Sequence, residues 1–438
     1  LKELIDYIKS KVLVKIASLQ IFAVFTRIVA GLLTSKAIAV FIGAEGLALI
    51  GNLRNFVQAS QTVASGGLYK GIVKYVGKFN DSISELSKVI SSVFYAGFVC
   101  TVMVCFFCYL KADWINDLVF PNYNDYAYVI KIFAIALPFY ILNMFSFSIM
   151  NGFSKYKILI VINIIGQILS VSITLILIFQ NKIDGALISV VISESLIFLI
   201  TLVGIINRRS LVPLIKASMF SFGYLKKMHM FVLMAFFSGV LLPLVALAIR
   251  THIIENIGYK DAGFWEAMMR VSKYYLMFVT ALITLYRLPR FSEFKEVIQF
   301  KKAVIRFYKR MIPFLVIGLF LIYLLRKYIV LVVFTDEFQP VEDLFLWQLL
   351  GDFIKVLSIV IAYQFLAKKM FWHYVLTEAF LMITLYSSSI YFINLFNGIQ
   401  GAVIAHFVSY LMYFGIVLLI FGGSLFGVEG GGDKRRQI

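Results

Sequence analysis

Charge is scarce in this sequence: Asp, Glu, Lys and Arg make up only 15% of the 438 residues, while 61% are hydrophobic. So few charges could not clothe a water-soluble body of this length, which excludes a soluble fold. Cysteine is nearly missing. The three present, Cys100, Cys105 and Cys108, fall within one apolar run, leaving no disulfide framework and no thiolate metal centre. His229, His252, His373 and His406 are scattered without metal-ligand spacing, and no glycine-rich phosphate loop or nucleophile motif occurs. Transport powered by ATP and enzymatic catalysis therefore find no support. Long polar segments are lacking as well, so a membrane polymerase or ligase, which carries its catalytic groups on a large outer loop, fits poorly.

What the chain does have is apolar runs. A helix needs about 20 apolar residues to cross hydrocarbon, and such runs recur with no soluble-sized segment between them. The reading is an all-α polytopic membrane protein with twelve spans, at 15–41, 46–68, 89–110, 127–150, 158–179, 185–206, 229–250, 262–286, 312–334, 344–366, 372–393 and 398–421. The stretch 2–15 reads as an amphipathic lead-in with no cleavable signal pattern. Spans 1–6 form an N-lobe (1–206) and spans 7–12 a C-lobe (229–421). Between them runs a linker (207–228) whose weakly amphipathic piece at 211–224 suits the membrane surface. Residues 422–438 are a tail whose Gly430–Arg436 run resembles an appended tag and is set aside.

The net charge of +18 raises the question of nucleic acid. Yet most Lys and Arg cluster in alternate short loops, which is the signature of topology in a bilayer and places both termini in the cytoplasm. No nucleic-acid partner is expected.

Some cations lie within spans, where each costs about 2.5–3.5 kcal/mol at mid-bilayer and must face protein or water. Helical spacing gives the faces. Gln20, Arg27 and Thr34 share one stripe of span 1, with Lys36 round the helix and near its end, free to reach the membrane surface. Arg54, Gln58, Gln61 and Ser65 share a stripe of span 2. In span 8, Glu266, Arg270, Lys273, Met277, Thr280, Thr284 and Arg287 advance by three or four residues. Asp352 and Lys355 in span 10 are three apart and able to pair, a structural role. Glu194 and Glu378 are single acids, structural or ion-coupling. For Arg27, Arg54, Arg270 and Lys273 two readings stand: ion pairs that fix packing, or a cavity that receives an anion. Cations outnumber nearby carboxylates, which favours the anion.

Three blocks carry a family resemblance: 27–36 running into FIGAEGL (41–47) with Asn52-Leu53-Arg54; the span from Gly263-Phe264-Trp265 through Leu288-Pro289; and DLFLWQLLGDFIK (343–355). They resemble the Wzx polysaccharide flippases of the MOP superfamily, the last block resembling the branch that contains the enterobacterial common antigen flippase. The resemblance implies two six-helix lobes around a central cavity lined by spans 1, 2, 7 and 8, in the bacterial inner membrane. It implies an undecaprenyl-pyrophosphate-linked oligosaccharide as substrate, an O-antigen repeat unit or alternatively the common-antigen lipid, passed to the polysaccharide polymerase and chain-length machinery. No cofactor is implied, and coupling to an ion gradient is left open. A multidrug antiporter of the same superfamily is the rival; it would want carboxylates dominating the cavity. Where the common-antigen branch has a carboxylate in span 8, this chain has Lys273, which removes a proton-coupling acid and favours a different glycan.

Candidate substrate residues are then Arg27, Arg54, Gln58, Gln61, Arg250, Trp265, Arg270 and Lys273. Guanidinium groups bind phosphate oxygens through paired donors, and amides and aromatic faces suit sugars. The lipid tail is expected to leave through a lateral opening between spans 1 and 8, with Pro138 and Pro243 as bends for alternating access.

Overall fold

A computed structural model describes residues 2–206, 214–291, 297–367 and 370–426, and among these every regular element is helical. In a bilayer the backbone must satisfy its own hydrogen bonds, and a chain this apolar does so with helices. The first half contains α1 (Lys2–Phe41), α2 (Gly43–Ala64), α3 (Tyr69–Lys78), α4 (Ile83–Leu110), α5 (Ala112–Val119), α6 (Ala127–Gly152) and α7 (Tyr156–Ile206). The second contains α8 (Phe222–Phe236), α9 (Leu242–Asn256), α10 (Tyr259–Phe291), α11 (Val297–Leu324), α12 (Arg326–Val333), α13 (Phe345–Ala367), α14 (Phe371–Phe396) and α15 (Gln400–Phe426).

Among the described residues eight segments are long and apolar enough to cross a membrane, nine if the bent α11–α12 pair is one crossing. One of them, Tyr156–Val203, is too long for a single crossing. It breaks at Asn181 and Lys182, where the backbone leaves helical geometry, and Thr174 Oγ1 then lies 3.4 Å from Ser193 Oγ. The two parts are antiparallel neighbours, matching spans 5 and 6. Helices α2 and α10, with 22 and 33 residues, have the length to cross but fall outside the apolar set because they carry the polar stripes. The twelve-span reading is compatible with this order.

Two irregularities interrupt the spans. A π-helical turn, Phe237–Leu241, joins α8 to α9 just before Pro243, whose missing N–H cannot continue the ladder. The span through 312–334 is broken by a 68° bend between Leu324 and Arg326, which hydropathy alone does not reveal. Lys36, near the end of span 1, donates its ammonium to the carbonyls of Leu331 (3.0 Å) and Phe334, capping the end of α12.

The largest core cluster draws on both halves, with Leu47, Ile50, Phe120 and Phe133 packed with Ile253, Phe334, Phe338 and Leu344. It includes residues of the α1–α2 turn. In the described part of the linker a 3₁₀ turn, Ala217–Met219, precedes the start of α8 at Phe222. Serines of α4 clasp the linker: Ser87 Oγ donates to the Leu214 carbonyl (2.6 Å), and the backbone N–H groups of Lys216 and Ser221 donate to Ser91 (2.9 Å) and Ser92 (2.8 Å). Residues 207–213 and the 427–438 part of the tail lie outside the described residues.

Candidate functional site

The stripes of α1, α2 and α10 converge on one cavity of ≈ 630 Å³. Arg27, Arg54, Gln58, Gln61, Arg270 and Lys273 all line it. Its remaining walls come from α6 and both parts of α7, and no residue of α8 or α9 lines it, so the expected wall from span 7 is replaced by spans 4 to 6. Asn163, Gln167, Ser170 and Thr174 of α7 complete a polar face that sequence reading missed. The signal was present, since these four recur at three- and four-residue intervals, but none is charged and none drew notice among the apolar residues.

Four cations face this cavity and one carboxylate, Glu194, which Gln61 Nε2 approaches at 3.5 Å. Among the described residues Arg27, Arg54 and Lys273 make no salt bridge. Arg270 is buried and only partly satisfied: Nε donates to Glu266 Oε1 at 3.0 Å, Nη1 to Ser35 Oγ at 3.4 Å, and Nη2 has no partner. Burying a charge without full pairing is costly, and Arg270 Nη2 keeps a donor for a further acceptor. The side chains of Thr284 and Arg287, at the far end of the α10 stripe, lie outside the described residues.

The structure does not bring Arg250 or Trp265 into the cavity. Arg250 Nη2 lies 2.5 Å from Glu266 Oε2, Nη1 donates to Asn52 Oδ1 at 3.0 Å, and the guanidinium sits 5.1 Å from the centre of the buried Trp265 ring. Asn52 in turn donates to the Val119 carbonyl at 3.0 Å. This assembly locks α9 and α10 to α2. Gly51 permits it, because a Cβ there would lie 2.8 Å from both Arg250 Cζ and Glu266 Cδ.

Asp352 does not form an ion pair with Lys355, contrary to expectation. Its Oδ2 accepts from Ser272 (2.5 Å), Tyr275 and Gln348 (3.2 Å), and its Oδ1 faces His406 Nε2 at 3.1 Å. Lys355 points instead at the face of Tyr410, 5.1 Å from the ring centre. The partner His406 comes from α15, a tertiary neighbour that no local spacing announces. Glu378 accepts from Tyr413 Oη at 3.4 Å, away from the cavity. No three His, Cys, Asp or Glu gather as a metal-binding group among the described residues.

The seam between α1 and α10, expected as a lateral opening, is closed at mid-length. Tyr274 Oη donates to the Gly31 carbonyl at 2.8 Å and lies 2.8 Å from Ser35 Oγ. A side chain at position 31 would prevent this, since its Cβ would fall 2.5 Å from the tyrosine ring.

Comparison with known proteins agrees with this architecture. The chain matches the model of the family described as "Polysaccharide biosynthesis protein" over residues 37–343. It is 28% identical over 399 residues to the Lipid III flippase of Escherichia coli (strain K12), covering 90% of this chain and 94% of that one, and the Shigella flexneri protein of the same name matches equally. Among solved structures, an inward-facing multidrug resistance MATE family transporter of the MOP superfamily superposes with a TM-score of 0.77 at 11% identity, covering 93% of this chain and 98% of the other. The lipid II flippase MurJ, in an inward closed conformation, gives 0.69 at 15% identity, covering 93% and 87%. At such identities these structures establish the fold. The family model spans well over half the sequence, and the chain therefore belongs to the polysaccharide biosynthesis protein family, built on the fold of the MOP-superfamily transporters.

Proposed function

We propose that this protein is a flippase that moves a lipid-linked oligosaccharide between membrane leaflets by alternating access, with the pyrophosphate of the substrate held in the cation-lined cavity. The observation that carries the reading is the charge imbalance at the cavity wall, where Arg27, Arg54, Arg270 and Lys273 share the lining with one carboxylate, Glu194, and only Arg270 has an ion-pair partner, Glu266, behind the wall. A diphosphate is a compact anion, and guanidinium groups meet its oxygens with paired donors. Gln58, Gln61, Gln167 and Asn163 offer hydrogen bonds to sugar hydroxyls. A multidrug antiporter selecting organic cations would be opposed by the same field.

The relatives named Lipid III flippase support a lipid-linked saccharide as the class of cargo. Within that class the glycan is an O-antigen repeat unit or a common-antigen saccharide on undecaprenyl pyrophosphate, delivered to the polymerase and chain-length machinery. In this reading the protein sits in the bacterial inner membrane with both termini cytoplasmic. The cavity then opens inward, and the core on the α1–α2 side is the outer seal between two lobes. The π-helical turn before Pro243 supplies a point at which the second lobe can bend.

The test is surface polysaccharide in cells lacking the native gene, with the membrane level of each variant measured alongside. Arg27→Ala and Arg54→Ala should abolish surface glycan at normal expression, with Lys replacements restoring part. Normal glycan from both alanine variants would overturn the anion-cavity reading.

A further inference from the structure

Tyr75, Phe79 and Tyr224 form a closed set of three rings where the two halves of the chain meet. Tyr75 stacks on Phe79 with ring centres 6.1 Å apart, and both meet Tyr224 edge-on, at 6.3 and 6.0 Å. The first two belong to α3 and its C-terminal cap, the third to α8. Three exposed lysines surround the set. Lys78 Nζ lies 5.2 Å from the centre of the Phe79 ring, Lys227 Nζ 4.9 Å from that of Tyr224, and Lys74 Nζ 6.0 Å from Tyr75 and 5.2 Å from Phe231 of α8. Glu85, the acid that touches the set, is already engaged by Lys88 at 2.8 Å and by the Tyr224 hydroxyl. Among the described residues none of the three lysines makes a salt bridge.

The setting is that of a membrane boundary. Helix α3 has ten residues, about 15 Å of helix, which is half of what crossing the hydrocarbon needs. It buries Ile72 and Val76 and turns Lys74 and Lys78 outward, the pattern of a helix lying along an interface. Large apolar side chains are left open beside the rings: Phe222, two residues before Tyr224, is 76% exposed, and Ile83, four after Phe79, is 75% exposed.

We propose that this cluster binds the headgroup of an anionic phospholipid, its phosphate drawn by Lys74, Lys78 and Lys227 and its acyl chains alongside Phe222 and Ile83. None of these residues lines the cavity, so the site is separate from the one proposed for the substrate. Its face is cytoplasmic in the topology proposed above. Lysines that only mark topology need no fixed position. Here each ammonium rests on a ring, and the rings fix one another, so three positive charges from two helices are held in place. A soluble anion would gain from the lysines and nothing from Phe222 and Ile83. A zwitterionic lipid would gain from the apolar side chains and little from the lysines. An anionic phospholipid uses both. Because α3 and α8 come from different halves, the bound headgroup ties the halves together on this face.

The test titrates the purified chain in neutral detergent with phosphatidylglycerol, phosphatidylcholine or inorganic phosphate, reading bound lipid by native mass spectrometry and melting temperature in parallel. The unaltered protein should bind phosphatidylglycerol at least about tenfold more tightly than phosphatidylcholine and melt higher with it, and inorganic phosphate should not raise melting. Lys74→Gln, Lys78→Gln and Lys227→Gln combined should weaken phosphatidylglycerol by at least about tenfold, while arginine at the same three positions should keep it. Lys111→Gln, Lys131→Gln and Lys260→Gln combined, the same charge removed elsewhere, should leave that binding unchanged. So should Arg54→Ala, which separates this site from the cavity. Equal weakening by the two triple glutamine variants would reduce the effect to net charge and overturn the proposal. Phosphatidylglycerol held as tightly by the first triple variant as by the unaltered protein, or phosphatidylcholine held as tightly as phosphatidylglycerol, would overturn it too.

Discussion

Arg250 and Glu266 meet at 2.5 Å in a buried pair, and the second oxygen of the same carboxylate holds Arg270 Nε at 3.0 Å. One acid therefore anchors a structural arginine and, from behind, a cavity arginine. Removing Arg250 leaves Glu266 with Arg270 as its one ion-pair partner and Asn52 Oδ1 buried without its donor, a loss of charged hydrogen bonds worth about 1.5–3 kcal/mol each. Arg250→Ala should accordingly lower the melting temperature of the purified protein sharply, while Arg54→Ala, which breaks no ion pair, should barely move it. Equal melting of the two variants would contradict the division between scaffold and cavity arginines.

A second prediction concerns the other buried acid. A double-mutant cycle with Asp352→Asn and His406→Gln should return a coupling energy above about 1 kcal/mol, as touching residues do. The cycle with Asp352→Asn and Lys355→Met should return less, because Lys355 faces Tyr410. Thermal stability in detergent gives both values, and the reverse ranking would restore the Asp352–Lys355 pair.

These two clusters show where the sequence was readable. Periodicity of 3.6 fixes which residues share a helix face, so the stripes of Arg27, Arg54 and Arg270 were legible and do converge. Which stripe meets which is a tertiary fact. Arg250 shares the charged character of the cavity residues but lies one helix back, where Asn52 and Glu266 absorb it. His406 lies 54 residues from Asp352 with an ordinary apolar setting around it in sequence. The uncharged stripe of α7 was missed because Asn, Gln, Ser and Thr at single positions do not stand out against a hydrophobic background.

The α1–α10 latch makes a third prediction. Gly31→Ala should push Tyr274 out of its place, costing about 1–3 kcal/mol as overpacking does. Once Tyr274→Ala has removed the ring, adding Gly31→Ala should cost almost nothing more. Full additivity of the two losses in melting experiments would show that position 31 acts elsewhere.

Orientation supplies a fourth. In a background with Cys100, Cys105 and Cys108 replaced, single cysteines at Lys111 or Lys260 should react with an impermeant reagent added to intact cells. Those at Lys78 or Lys155 should react only after the membrane is opened. Outside labelling at 78 would invert the topology.

The central claim is that the cavity recognises a diphosphate, and its most direct measurement compares binding of undecaprenyl pyrophosphate with binding of uncharged undecaprenol. A hydrogen-bonded contact to a charged group is worth about 1.5–3 kcal/mol, which is roughly tenfold or more in affinity. Arg54→Ala should therefore weaken undecaprenyl pyrophosphate by at least about tenfold, Arg54→Lys should fall between, and undecaprenol should bind all three proteins alike. Undecaprenyl pyrophosphate binding as tightly to Arg54→Ala as to the unaltered protein would contradict the account.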